Sequence, residues 1–103
     1  MENATLAISD NSEPLARNFV RCELLLATIE LSEKAAMDKL VRKTGIPKRT
    51  IHALMTRLEE QHRVIIHRVN GRRYGYYKVV DWGNLNKLDI VRHIQTKYYP
   101  GAA

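Results

Sequence analysis

The chain has 103 residues, enough for one modest hydrophobic core and too few for two. Seventeen Lys and Arg against eleven Asp and Glu leave it at +6 with a pI near 9.7, which points to a polyanionic partner. Its one cysteine, Cys22, excludes an internal disulfide and fits a reducing cytoplasm, and no apolar run approaches the roughly 20 residues of a membrane span.

Residues 1–11 are mixed and acidic, without the basic-then-apolar order of a signal peptide, and are expected to form a flexible leader. A single domain is expected over 12–99, with N- and C-terminal helices packed together and a tail at 100–103. Asn11-Ser12-Glu13-Pro14 reads as a helix start, with a capping side chain, an acid in the first turn and a proline where prolines are tolerated. Leu15, Phe19, Cys22, Leu26 and Ile29 then recur at steps of three or four, the stripe of a core-facing helix. Leu24, Leu25 and Leu31 lie outside that stripe, so either a partner chain or a C-terminal helix folded back must cover them. Ser32 could cap the next helix, or Lys34-Ala35-Ala36 could form a very short strand against a later hairpin; the strand is the preferred reading.

A second helix is expected over 37–43, burying Met37, Leu40 and Val41. The turn Arg42-Lys43-Thr44-Gly45-Ile46-Pro47-Lys48-Arg49-Thr50 follows. Gly45 stands where a helix C-terminus needs a left-handed residue, and Pro47 where a missing N–H costs nothing. The third helix, 48–61, buries Ile51, Leu54, Met55 and Leu58. The apolar period then changes from 3.6 to 2. Segments 64–69 and 72–79, rich in β-branched and aromatic residues, flank Asn70-Gly71, which specifies a type I′ two-residue turn. That turn pairs Val69 with Arg72 and Arg68 with Arg73. After Asp81-Trp82-Gly83, with Trp82 expected to wedge between hairpin and last helix, Asn84 or Asn86 can cap a helix carrying Leu85, Leu88, Val91, Ile94 and Tyr98. Pro100-Gly101 ends it.

The order helix-helix-helix-hairpin-helix, mainly α with a small β-hairpin, is that of a winged helix-turn-helix, an arrangement that binds nucleic acid. The charge follows it. Residues 39–73 hold ten Lys or Arg against Glu59 and Glu60, a local excess of eight that leaves the remainder of the chain at about −2. With Ile51, Leu54 and Leu58 facing inward, a 100° step puts Arg49, Ala53 and Thr56 outward, flanked by His52 and Arg57. Arg49 is the expected base reader, of guanine through O6 and N7, while Lys48 and Thr50 suit phosphate at the helix N-terminus. Glu60 falls on the same face two turns on, so the N-terminal half must enter the groove. On the hairpin, Arg68, Asn70, Arg72 and Arg73 are expected DNA contacts. Like charges opposite each other cost about 0.2–1 kcal/mol, which a phosphate or minor-groove contact would offset. The plainer alternative is a charged edge that blocks aggregation.

Residues 40–54, Leu40-Val41-Arg42-Lys43-Thr44-Gly45-Ile46-Pro47-Lys48-Arg49-Thr50-Ile51-His52-Ala53-Leu54, resemble the helix-turn-helix of bacterial winged-helix repressors, with the DNA-binding domains of IclR-type regulators the nearest pattern. The resemblance covers about 40–78 and implies that the third helix is the recognition helix, with Lys48, Arg49, Thr50 and His52 as contacts. It departs at Ala53, where those regulators often carry a polar or basic reader, so weaker base specificity is expected. It departs again after the hairpin, which about two dozen residues follow, so no effector domain is expected.

Other chemistry finds little support. Tyr74, Tyr76 and Tyr77 suggest base stacking, but consecutive tyrosines on a strand point to opposite faces and more often pack. His52, His62, His67 and His93 lack metal-ligand spacing, Cys22 lies in an apolar stripe, and Glu59-Glu60 is an ordinary helix end. No catalysis, cofactor or metal is expected. The expected function is sequence-specific duplex DNA binding by a small cytoplasmic, bacterial-style transcriptional regulator, a homodimer through its first and last helices. The rivals are a protein-interaction winged helix docking an acidic partner and RNA or single-strand binding.

Overall fold

Apolar residues on two sides of the first long helix decide the architecture. The computed structural model describes residues 14–70 and 75–98, with helices α1 (Pro14–Leu31), α2 (Met37–Thr44), α3 (Lys48–His62) and α4 (Lys87–Tyr98) and a hairpin of β1 (Ile65–Val69) and β2 (Tyr76–Asp81). On one side of α1, Cys22, Leu25, Leu26 and Ile29 meet Leu40 of α2, Ile51, Leu54 and Leu58 of α3, and Val79 of β2. On the other side Ala27 and Leu24 meet Ile90 and Ile94 of α4. Full burial of each Leu or Ile removes enough apolar surface from water to contribute roughly 1.5–3 kcal/mol. The buried Thr28 hydroxyl is satisfied by donating to the Leu24 carbonyl at 2.7 Å.

The second helix face that the sequence leaves uncovered is thus partly closed from within the chain by α4. A salt bridge from Lys87 Nζ to Glu30 Oε2 (3.0 Å) ties the start of α4 to the end of α1. The face of α4 differs from expectation: Leu88 is 68% exposed, and Ile90, absent from the expected stripe, is buried with Ile94. The docked face is the one that meets Ala27 and Leu24 of α1. Asn86, not Asn84, caps α4 by accepting the Asp89 N–H at 3.0 Å, and the docked face runs through Ile90 and Ile94 at four-residue spacing. Trp82 packs against both hydrophobic clusters, at the junction expected of it. Phe19 sits at the edge of the core, 36% exposed, its ring 5.6 Å from that of His62.

The hairpin corrects the two-residue turn. Antiparallel pairing joins Ile66 to Val79, His67 to Lys78, Arg68 to Tyr77 and Val69 to Tyr76, so six residues, 70–75, connect the strands. Asn70 does adopt a left-handed φ of 62°, as a turn asparagine should. The core decides the register, however: a Val69–Arg72 pairing would set Ile66 opposite Gly75, which has no side chain. The observed one sets it opposite buried Val79. Arg68 therefore lies opposite Tyr77, and the expected pairing of Arg68 with Arg73 does not form. The short strand at 34–36 reduces to one bridge, in which Tyr77 N–H donates to the Ala35 carbonyl at 3.0 Å. The expected leader, the helix start at Asn11-Ser12-Glu13, the side chains of Leu15 and Tyr98, Gly71, Arg72, Arg73, Tyr74 and the end at Pro100-Gly101 lie outside the described residues.

The segment from β2 to α4 is fixed against the end of α3. Gly83 has φ +60°, and a Cβ there would run into the backbone carbonyl oxygens of His62 and Arg63. Its N–H donates to Asp81 Oδ1 at 2.7 Å, and Asn84 N–H donates to the His62 carbonyl at 2.9 Å. Only glycine tolerates so close a backbone crossing at that φ. No helix among the described residues is long and apolar enough to cross a membrane.

Candidate nucleic-acid interface

The turn before α3 is built as its residues require. Gly45 ends α2 at φ 74°, ψ 9°, its N–H donating to the Val41 carbonyl at 2.9 Å. The Thr44 hydroxyl donates to the Leu40 carbonyl at 2.6 Å and accepts the Ile46 N–H at 3.1 Å, so one side chain holds both arms of the turn. Ile46 is buried and anchors the turn to the core. Pro47, at φ −61° and ψ 151°, occupies the N-cap of α3 and offers it no capping side chain, and the first turn contains no acid. The leading N–H groups and the positive end of the helix dipole therefore meet no anion from the N-cap or first turn of α3 itself.

The outward face of α3 presents Lys48, Arg49, His52, Ala53 and Thr56, all exposed, with Thr50 half-buried at its edge. Opposite them Ile51, Leu54, Met55 and Leu58 are buried, the arrangement a 100° step requires. Glu59 and Glu60 are exposed one turn further on. Arg57 departs from the group. It is half-buried, and its charge acts on the Cys22 thiol of α1. Burial pushes that thiol up from 9.0 to about 11, Arg57 pulls the other way, and Glu23 adds to the rise. A buried thiol held neutral has the character of core and not of a nucleophile.

On the hairpin, Arg68 and Asn70 are exposed, while Arg72 and Arg73 lie outside the described residues. The structure thus brings Lys48, Arg49, Thr50, His52 and Thr56 together along one helix, leaves Arg57 half-buried, and places Arg68 on a strand opposite Tyr77. Further basic positions escaped the sequence reading of the site. Arg42 and Lys43, exposed in the last turn of α2, flank the turn itself, and their place just before Gly45 was the available signal. His67 and Lys78 are exposed and directly paired across the hairpin, which only the correct register discloses.

Residues 15–97 match the family described as winged helix-turn helix. No curated protein matches the chain. A crystal structure of a DUF2131 family protein from Shewanella amazonensis SB2B is similar, with a TM-score of 0.71 over 81% of this chain and 87% of that one at 19% identity, a likeness of fold alone. The narrower likeness to IclR-type regulators stays a resemblance of the turn and α3. With four helices, a paired hairpin and a family match across 15–97, this chain belongs to the winged helix-turn-helix family.

Proposed function

We propose that this protein binds duplex DNA sequence-specifically as a small transcriptional regulator in the cytoplasm, with α3 in a major groove and the hairpin on adjacent backbone or minor groove. The observation that carries the reading is the exposed Lys48–Arg49–His52–Thr56 face behind a helix N-terminus that lacks any acidic or capping side chain. A major groove accepts one α-helix, and side chains near its N-terminus reach base edges. Arg49 reads a base, Lys48 and Thr50 hold phosphate, and Arg42, Lys43, Arg68, Asn70, Arg72 and Arg73 add backbone contacts. A single domain of this size covers few base pairs, so specific regulation requires two copies related by a two-fold axis, joined through α1 and α4.

The test separates reading from holding. On a site selected from random duplexes, Arg49→Ala should cost about 1–3 kcal/mol and blur discrimination at one base pair, while Arg72→Ala should weaken all duplexes alike. Identical sequence preference in the two variants would overturn the placement of α3. Equal competition by single-stranded DNA or RNA would favour strand binding through the tyrosines instead.

A further inference from the structure

The centre of the α3 outward face is apolar, although its surroundings are basic. Ala53 is exposed there, one turn after Arg49, and Thr56 is exposed one turn after His52. The Thr56 hydroxyl donates to the His52 carbonyl at 3.2 Å. Its only proton is engaged within the helix, which leaves its γ-methyl and oxygen lone pairs for a partner. On the line from Arg49 to Glu60, Ala53 and Thr56 therefore offer two methyl groups and no free side-chain donor, with His52 to one side of them. An alanine also lets the helix axis approach closely, where a longer side chain would hold it away.

Of the four bases, only thymine presents a methyl group in the major groove, and an alanine or threonine methyl is its natural contact. We propose that Ala53, with the Thr56 methyl beside it, reads the 5-methyl group of a thymine, a specificity that rests on the DNA-binding reading above. The four residues from Arg49 to Ala53 advance about 6 Å along the helix, and base pairs rise by about 3.4 Å. The thymine thus lies within about two base pairs of the base that Arg49 engages. Ala53, which as a non-polar residue looks like a gap in the reading face, discriminates by shape.

Deoxyuridine removes the methyl group and leaves every hydrogen-bonding edge of the base intact. Sites are selected from a random duplex library with the full chain, and affinity is compared between duplexes carrying dT or dU at each thymine within two base pairs of the Arg49-dependent position. One such substitution should weaken binding about three- to five-fold, the effect of one buried methyl group. In Ala53→Gly the dT-to-dU ratio should fall, leaving only the share that the Thr56 methyl contributes. The ratio is taken within each protein, so any folding loss caused by the glycine cancels. Selected sites without a thymine there, equal affinity for dT and dU, or a ratio undiminished in Ala53→Gly would each overturn the proposal while leaving DNA binding intact. Failure to bind any duplex would overturn the proposed function itself.

Discussion

Cys22 shows how one side chain reports on the core it occupies. It is 1% exposed, and its thiol is pushed up to about 11 by burial. Because the folded state favours the neutral thiol, the contribution to stability is complete below the unfolded value of 9.0. It is lost as the pH rises toward about 11, since the unfolded chain ionises first. Cys22→Ala removes this dependence. At pH 8 the variant should be less stable by roughly 1 kcal/mol for the lost sulfur packing. As the pH rises from 9 toward 11 the gap should close and then change sign, because each pH unit in that window removes about 1.4 kcal/mol from the wild type alone. Urea midpoints for both proteins across that range measure it, and a gap constant with pH would mean that the thiol is solvated. Arg57 acts on the same thiol, and its half-burial is a tertiary property that a helical projection of α3 alone does not contain.

Between elements, the two left-handed glycines differ in a way that substitution can measure. Gly45 has open space around its Cβ direction, so Gly45→Ala should cost only the left-handed backbone, about 1–2 kcal/mol. Gly83→Ala must in addition displace the carbonyls that end α3, and should cost clearly more, roughly 2–4 kcal/mol. Chemical denaturation of the two variants decides; equal losses would mean that the β2–α4 segment is not pinned to α3. Local chemistry made much of this fold readable in advance. The α2 end at Gly45 and the inward face of α3 follow from residue spacing, because each depends on a few adjacent positions. The hairpin register did not follow, because Asn70-Gly71 is a local signal, whereas pairing Ile66 with Val79 is dictated by a core assembled from distant residues. Ile90 was missed for a related reason: which face of α4 docks depends on α1 beneath it. Within the site, the exposed line of Lys48, Arg49, His52 and Thr56 was readable from α3 alone, and the departure of Arg57 was not.

At the level of the whole molecule, α4 accounts for part of the apolar surface of α1, and Leu31, Val80 and Leu88 remain exposed. If the proposed two-fold dimer uses this remainder, Leu88→Glu should leave urea stability within about 0.5 kcal/mol at concentrations that dissociate the dimer, since the side chain is 68% exposed, and should convert dimer to monomer in sedimentation at micromolar concentration. A dimer that survives Leu88→Glu would place the interface elsewhere, and a wild-type monomer would remove the paired-half-site model. In a dimer that reads a palindrome the two α3 helices should lie about 34 Å apart. The central claim, that the basic surface engages the phosphates of duplex DNA, is tested most directly by the affinity for one duplex from about 50 to 200 mM salt. Neutralisation of roughly six phosphates predicts a slope of log K against log salt near −5. A slope near zero would contradict it.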